Sequence, residues 1–146
     1  MDFSIVPMEA SHREAILAMM RTFYASPAVL TNGSETIFAA DIDACISDNP
    51  YLEGFVFCRG QELLGYGMAA KSFSTEFGKP CIWIEDLYVT PPYRGQGIGS
   101  AFLAFMTQRY PDAILRLEVE EENERAIAVY QKSGFEVLPY MEMKKE

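Results

Sequence analysis

Ile82-Trp83-Ile84-Glu85-Asp86-Leu87-Tyr88-Val89-Thr90-Pro91-Pro92-Tyr93-Arg94-Gly95-Gln96-Gly97-Ile98-Gly99-Ser100 is the stretch that decides the fold. Its first eight residues are dense in β-branched and aromatic side chains, and Pro91-Pro92 ends them, so they read as the strongest strand in the chain. A helix is expected from Gly97 to Arg109, with Ile98, Phe102, Phe105 and Met106 turned inward. Ile114 to Val119 reads as the next strand, so the unit predicts a right-handed parallel crossover. The alternating Gly95, Gly97 and Gly99 strip side chains from the helix start. An anion can then approach free backbone amides at the positive end of the helix dipole. The expected ligand is a phosphate or pyrophosphate.

Working outward, Gly54-Phe55-Val56-Phe57-Cys58 and Leu63-Leu64-Gly65-Tyr66-Gly67-Met68-Ala69 read as a hairpin closed at Arg59-Gly60-Gln61-Glu62, with a loop from Phe73 to Lys79. Phe3 to Pro7 is a short opening strand. Ser11-His12-Arg13-Glu14 predicts a capping box ahead of a helix with Ile16, Leu17, Met20 and Tyr24 at helical spacing, which Ser26-Pro27 breaks. A second helix is expected from about Glu35 to Ser47, stopped by Asn49-Pro50. Downstream, a helix from about Asn123 to Lys132 closes at Ser133-Gly134. Phe135-Glu136-Val137 and Met141-Glu142-Met143 are expected as final strands. The order β-α-α-β-β-β-α-β-α-β-β, without linker or repeat, gives one mixed α/β (α+β) domain over residues 1–146.

Composition narrows the chemistry. Hydrophobic residues make up 49% of the chain, enough for a real core. No apolar run approaches the ~20 residues that span a bilayer, and Met1-Asp2-Phe3-Ser4 lacks a basic start and apolar stretch, so a cytoplasmic protein without membrane contact is expected. Cys45, Cys58 and Cys81 are an odd number with no paired spacing, which argues against a disulfide framework or a zinc site and leaves no metal expected. His12 is the single histidine and sits just after the expected helix cap, which argues against a Ser-His-Asp or Cys-His mechanism. The net charge of −9 opposes nucleic-acid binding and favours a cationic substrate.

Several owners of the phosphate are conceivable. A P-loop needs a lysine after its last glycine, whereas Gly99 is followed by Ser100 and Ala101. A dinucleotide fingerprint counted from Gly95 and Gly97 meets Ser100 where its third glycine belongs, although Glu118 lies about twenty residues on. A turn serving only close packing is a further possibility.

Arg94-Gly95-Gln96-Gly97-Ile98-Gly99 resembles the cofactor motif of the GNAT superfamily of N-acetyltransferases, Arg/Gln-x-x-Gly-x-Gly/Ala. Asn123-Glu124-Arg125-Ala126-Ile127-Ala128-Val129-Tyr130-Gln131-Lys132-Ser133-Gly134-Phe135 is similar to its second hallmark. The resemblance runs from Glu85 to Phe135. It implies a central mixed, twisted sheet of about six or seven strands with four helices, two of whose parallel strands splay to admit the pantetheine arm.

By that resemblance the protein is an acyltransferase using acetyl-CoA as co-substrate. Backbone amides of Arg94, Gly95, Gln96, Gly97, Ile98 and Gly99, with Ser100 beside them, hold the pyrophosphate. Leu87, Tyr88 and Val89 pair with the pantetheine, and the Leu87 amide is an oxyanion donor. Asn123 bonds cofactor or substrate, and Arg125 and Lys132 approach the phosphates. Tyr130 stands at the general-acid position. Glu85 is the candidate base, with Asp86 as a substrate-binding or structural carboxylate. Strict alternation puts Trp83, Glu85 and Leu87 on one face and Ile84, Asp86 and Tyr88 on the other. Trp83 and Glu85 together suit an ammonium group.

Ile84-Glu85-Asp86-Leu87, with Phe73-Ser74-Thr75 before it, is similar to the spermidine/spermine and thialysine branch, which implies a small polyamine-like or lysine-like amine. An aminoglycoside, an amino acid or a protein N-terminus stays open as acceptor, and a non-catalytic CoA-binding sensor is the alternative of another class. A homodimer, through the last strands, is expected from the resemblance.

Overall fold

The computed structural model describes residues 2–146. Among these described residues, α-helices and strands follow in this order: β1 (Ser4–Pro7), α1 (Arg13–Tyr24), α2 (Glu35–Ile46), β2 (Leu52–Arg59), β3 (Glu62–Ser74), β4 (Lys79–Val89), α3 (Ile98–Arg109), β5 (Ile114–Leu117) and α4 (Glu124–Lys132). The strands form one sheet in the order β1-β2-β3-β4-β5, antiparallel except for the parallel pair β4 and β5.

Helix starts follow local polar chemistry. The Ser34 hydroxyl accepts from the Ile37 amide at 3.2 Å to open α2, and Asn123 Oδ1 accepts from the Ala126 amide at 3.2 Å to open α4. The start of α1 departs from expectation. A single 3-10 turn, Ala10–His12, precedes the helix, and the Glu9 amide donates to His12 Nδ1 at 3.0 Å. That turn carries Ser11 past the capping position, so no Ser11–Glu14 box forms.

Two cores lie on opposite sides of the sheet. On one side α1 and α2 bury Ile16, Met20, Phe38 and Ile42 against Val56, Tyr66, Met68 and Tyr88. On the other, α3 buries Ile98, Phe102, Leu103 and Met106 against Phe55, Phe57, Ile82 and Ile84. Gly67 explains the close seat of α3: a Cβ there would stand 2.5 Å from the Phe102 ring.

Three differences from the sequence reading matter. First, β3 and β4 are longer than expected and leave only Thr75 to Gly78 between them, with Gly78 at φ +66°. Second, Phe135–Val137 and Met141–Met143 form no strands, so the sheet has five strands rather than six or seven. Pro139 interrupts that tail, and β5, only four residues long, offers it a short ladder; Val137, Met141 and Met143 stay exposed. Third, the alternation along β4 breaks. Met68 faces Asp86 while Ala69 faces Ile84, so Glu85 is an extra, unpaired residue, a β-bulge. Beyond it the faces exchange: Ile84 and Leu87 join the α3 core, whereas Tyr88 joins the α1 core.

Candidate functional site

The glycine-rich turn sits where β4 runs out. Gly95 and Gly97 have φ of +75° and +85°, and Gly97 is the N-cap of α3. Side chains brace the loop from outside: Arg94 Nε donates to the Val89 carbonyl at 2.8 Å, and Gln96 Nε2 to the Pro92 carbonyl at 3.2 Å. The Arg94 guanidinium also lies 5.4 Å from the centre of the Tyr88 ring. The backbone amides from Gly95 to Ser100 find no backbone acceptor. Such a run of free donors at a helix N-terminus fits an anion. Arg125 reaches the same place, its Nη2 3.3 Å from where a Gly95 Cβ would stand.

These residues line a cavity of about 640 Å³, with Leu87, Tyr88 and Val89 as one wall and Asn123, Ala126 and Tyr130 as another. Arg94, Gly95, Gly97, Ile98, Gly99, Ser100 and Arg125 all border it; Gln96 and Lys132 do not. The cavity exists because β4 and β5 separate. Their ladder ends at Ile84 and Leu117, one residue before the bulge, while β4 continues to Val89.

A second cavity of about 700 Å³ adjoins the first and shares Leu87, Asn123, Ala126 and Tyr130 with it, together with Phe23, Ala28 and Glu120. Its wall carries Glu85, Asp86, Glu118, Glu120, Glu121 and Glu142 and neither lysine nor arginine. Ala28, Val29 and Leu30 from the α1–α2 connection close it on the apolar side.

The carboxylates differ in character. Glu85 keeps solvent access, yet partial burial, followed by the charges of Asp86, Glu142 and Asp41, raises its pKa above the ordinary glutamate value. Asp86 is 5% exposed, and burial raises its pKa too, opposed by hydrogen bonds from Tyr66 and Tyr24. A shared hydrogen bond with Glu142, then burial, pushes Glu118 up to about 7. Burial and the nearby Asp86 charge bring Asp41 to about 6. Tyr130 is held above the ordinary tyrosine value by burial, and its ring packs edge-on against Phe135 at 6.1 Å between centres.

Of the residues singled out from sequence, Glu85, Asp86, Leu87, Asn123 and Tyr130 meet around the second cavity. Trp83 does not join them. Its ring carries the Arg116 guanidinium at 4.6 Å, and it borders neither cavity, because the bulge separates its alternation from that of Leu87. Asn123 spends its oxygen on the α4 cap. Lys132, in the last turn of α4, stands away from the glycine turn.

Sequence reasoning missed Tyr24, Phe23, the Ser26–Leu30 connection and Glu142. Only Ser26-Pro27, read as a helix breaker, carried any local signal.

The sequence profile of the Acetyltransferase (GNAT) family matches residues 17–135. Thialysine N-epsilon-acetyltransferase of Bos taurus is 40% identical over 83 residues, 55% of this chain and 48% of that protein. Peptidyl-lysine N-acetyltransferase YiaC of Escherichia coli K12 is 38% identical over 56 residues, 38% of this chain and 37% of that protein. The chain spans about half the length of the curated thialysine enzymes it matches. Among solved structures, a possible acetyltransferase from Clostridium difficile 630 superposes with a TM-score of 0.84 at 18% identity, covering 99% of this chain and 97% of that one. AAC(6')-Iy, in complex with the bisubstrate analog CoA-S-monomethyl-acetylneamine, superposes with a TM-score of 0.81 at 16% identity, covering 100% and 99%.

Proposed function

The chain belongs to the Acetyltransferase (GNAT) family, and on that premise we propose that it moves an acetyl group from acetyl-CoA to the primary amine of a small cationic acceptor, polyamine-like or lysine-like, by direct attack in a ternary complex. The observation that carries this reading is the meeting of two unlike cavities at Leu87 and Tyr130: one edged by unused backbone amides, the other walled by carboxylates.

The donor side fits the group it is proposed to hold. The free amides of residues 95–100 and the Arg125 guanidinium suit a pyrophosphate, and β4 from Leu87 to Val89 runs past the end of β5 with an open edge. When bound, acetyl-CoA supplies the thioester carbonyl that is attacked and the thiolate that leaves. The residues of the chain do the remaining work. The acidic wall draws in an ammonium group by charge. Glu85, with a pKa lifted towards neutrality, takes the ammonium proton directly or through water. Leu87 lines both cavities, and in this reading its amide serves as the oxyanion donor. Tyr130, protonated at neutral pH, donates its Oη proton to the departing thiolate.

An acetyl-CoA thiol-release assay across polyamines, lysine analogues, aminoglycosides and peptides tests this. Turnover is expected with aliphatic cationic amines and not with neutral ones. The structural likeness to AAC(6')-Iy makes an aminoglycoside the second acceptor to try, since it too is polycationic. CoA binding without thiol release on any amine replaces the enzyme reading with a CoA-binding sensor. The homodimer belongs to this reading as well. The exposed Val137, Tyr140, Met141 and Met143 on the tail support it, and sedimentation of the purified chain reads it.

A further inference from the structure

Asp86 is a carboxylate set into the core, and both its oxygens are taken. Tyr24, the last residue of α1, donates its hydroxyl to Oδ1 at 2.9 Å; Tyr66, fully buried in β3, donates to Oδ2 at 2.7 Å. Burying a carboxylate is costly unless donors replace its water, and an apolar side chain would fill the space at less expense. What distinguishes position 86 is its neighbour. Glu85 is the unpaired bulge residue, and Asp86 is the first residue back in register, opposite Met68. A bulge held only by main-chain pairing can shift by one residue, and a shift here would change the side on which Glu85 emerges. Hydroxyls from two separate elements fix the depth of Asp86 and so the side on which Glu85 emerges.

We propose that Asp86 is a positioning residue for acetyl transfer: clamped by Tyr24 and Tyr66, it anchors the bulge that presents Glu85 to the acceptor cavity. Both Asp86 oxygens are thereby committed to the protein's own hydroxyls. The inference rests on the acetyltransferase reading for its catalytic part and on geometry alone for the anchoring.

Charge gives the anchor a second effect. Asp86 is faced by Tyr24 of α1, by Asp41 and Cys45 of α2 and by Tyr66 of β3; Glu85 is faced by Tyr24, Asp41, Glu118 and the tail residue Glu142. Among the described residues no cation stands with these groups. Burial and the Asp86 charge hold both tyrosines well above the ordinary tyrosine value, so they stay donors at any working pH. The Asp86 charge makes the Glu85 proton harder to remove. Neutralising Asp86 therefore lowers the Glu85 pKa.

Asp86→Asn keeps the shape, accepts from one tyrosine and donates to the other. Expected in this variant are about tenfold faster hydrogen exchange at the amides of residues 85–87, a kcat about tenfold lower or less still on a cationic acceptor with the KM for acetyl-CoA within about twofold, and an acidic limb of kcat/KM moved to lower pH. Unchanged exchange overturns the anchoring. Unchanged kcat and limb position at a wild-type Tm overturn the catalytic role. Should Asp86→Asn not fold, Tyr24→Phe removes one donor and leaves the charge: faster exchange at the same amides supports the proposal, and wild-type exchange overturns it. A wild-type protein that acetylates no amine defeats the acetyltransferase reading instead, and the exchange comparison then still decides the anchoring.

Discussion

Ile84 pairs with Leu117, and that pair is the last rung shared by β4 and β5. One residue later the bulge at Glu85 bends β4 out of alternation. The end of the ladder and the start of the bulge coincide, so the strand that forms the wall of both cavities is free on one edge and redirected at the same point.

Glu85→Gln removes the proposed base and retains its size. The expected result is a fall in kcat/KM on a cationic amine of about 10²-fold. In the wild type, Glu85 works only when deprotonated, and its pKa lies above the ordinary glutamate value. Activity should therefore fall on acidification at a higher pH than for an ordinary carboxylate. A pH profile in which Glu85→Gln keeps the same acidic limb would assign the base elsewhere.

Tyr130→Phe leaves the edge contact with Phe135 and removes the hydroxyl. A kcat about tenfold lower, with acetyl-CoA still raising the Tm, is expected if Oη delivers the proton. Stopped thiol-release kinetics measure it.

Gly97→Ala separates conformation from space. A Cβ there meets nothing within 4 Å, yet φ is +85°. The substitution should cost about 1 kcal/mol and tilt the amides of the turn, raising the KM for acetyl-CoA more than it lowers kcat. Gly67→Ala is the opposite case: ordinary backbone, but a Cβ 2.5 Å from Phe102. It should cost about 1–3 kcal/mol, recovered in part by a smaller residue at 102, as denaturant titration would show.

Glu118→Gln tests the acid pair on the cavity rim. The folded-state pKa of Glu118, about 7, lies above its ordinary 4.5, so its stabilising contribution is complete below that ordinary value and is lost as pH rises through about 7. The variant should have a higher Tm than wild type at pH 8 and no advantage at pH 4. An equal gain at both would mean that ionisation is not the cause.

The parts legible in the sequence were those written locally. The glycine-rich turn, the Pro91-Pro92 stop and the Ser133-Gly134 closure each act within a few residues of themselves, and the order of strand, turn and helix from Ile82 to Arg109 stands as expected. The bulge was not legible because it is a property of two strands: Glu85 is extra only relative to Met68 and Ala69. Alternation therefore placed Trp83 beside Glu85, where the structure turns it to Arg116. Tyr24 and Glu142 come to the site across 62 residues and across the tail, distances over which spacing carries no information. The tail strands failed for a related reason, since a strand needs a partner edge and β5 offers four residues.

The stacking of Arg116 on Trp83 has a practical use. Trp83 is the one tryptophan in the chain, and it sits a single rung before the last pair of β4 and β5, outside both cavities. Its emission is therefore a native optical gauge of the gap between the two strands. Arg116 of β5 stacks on the indole, so a change in the β4–β5 contact is expected to alter the emission of the unlabelled protein.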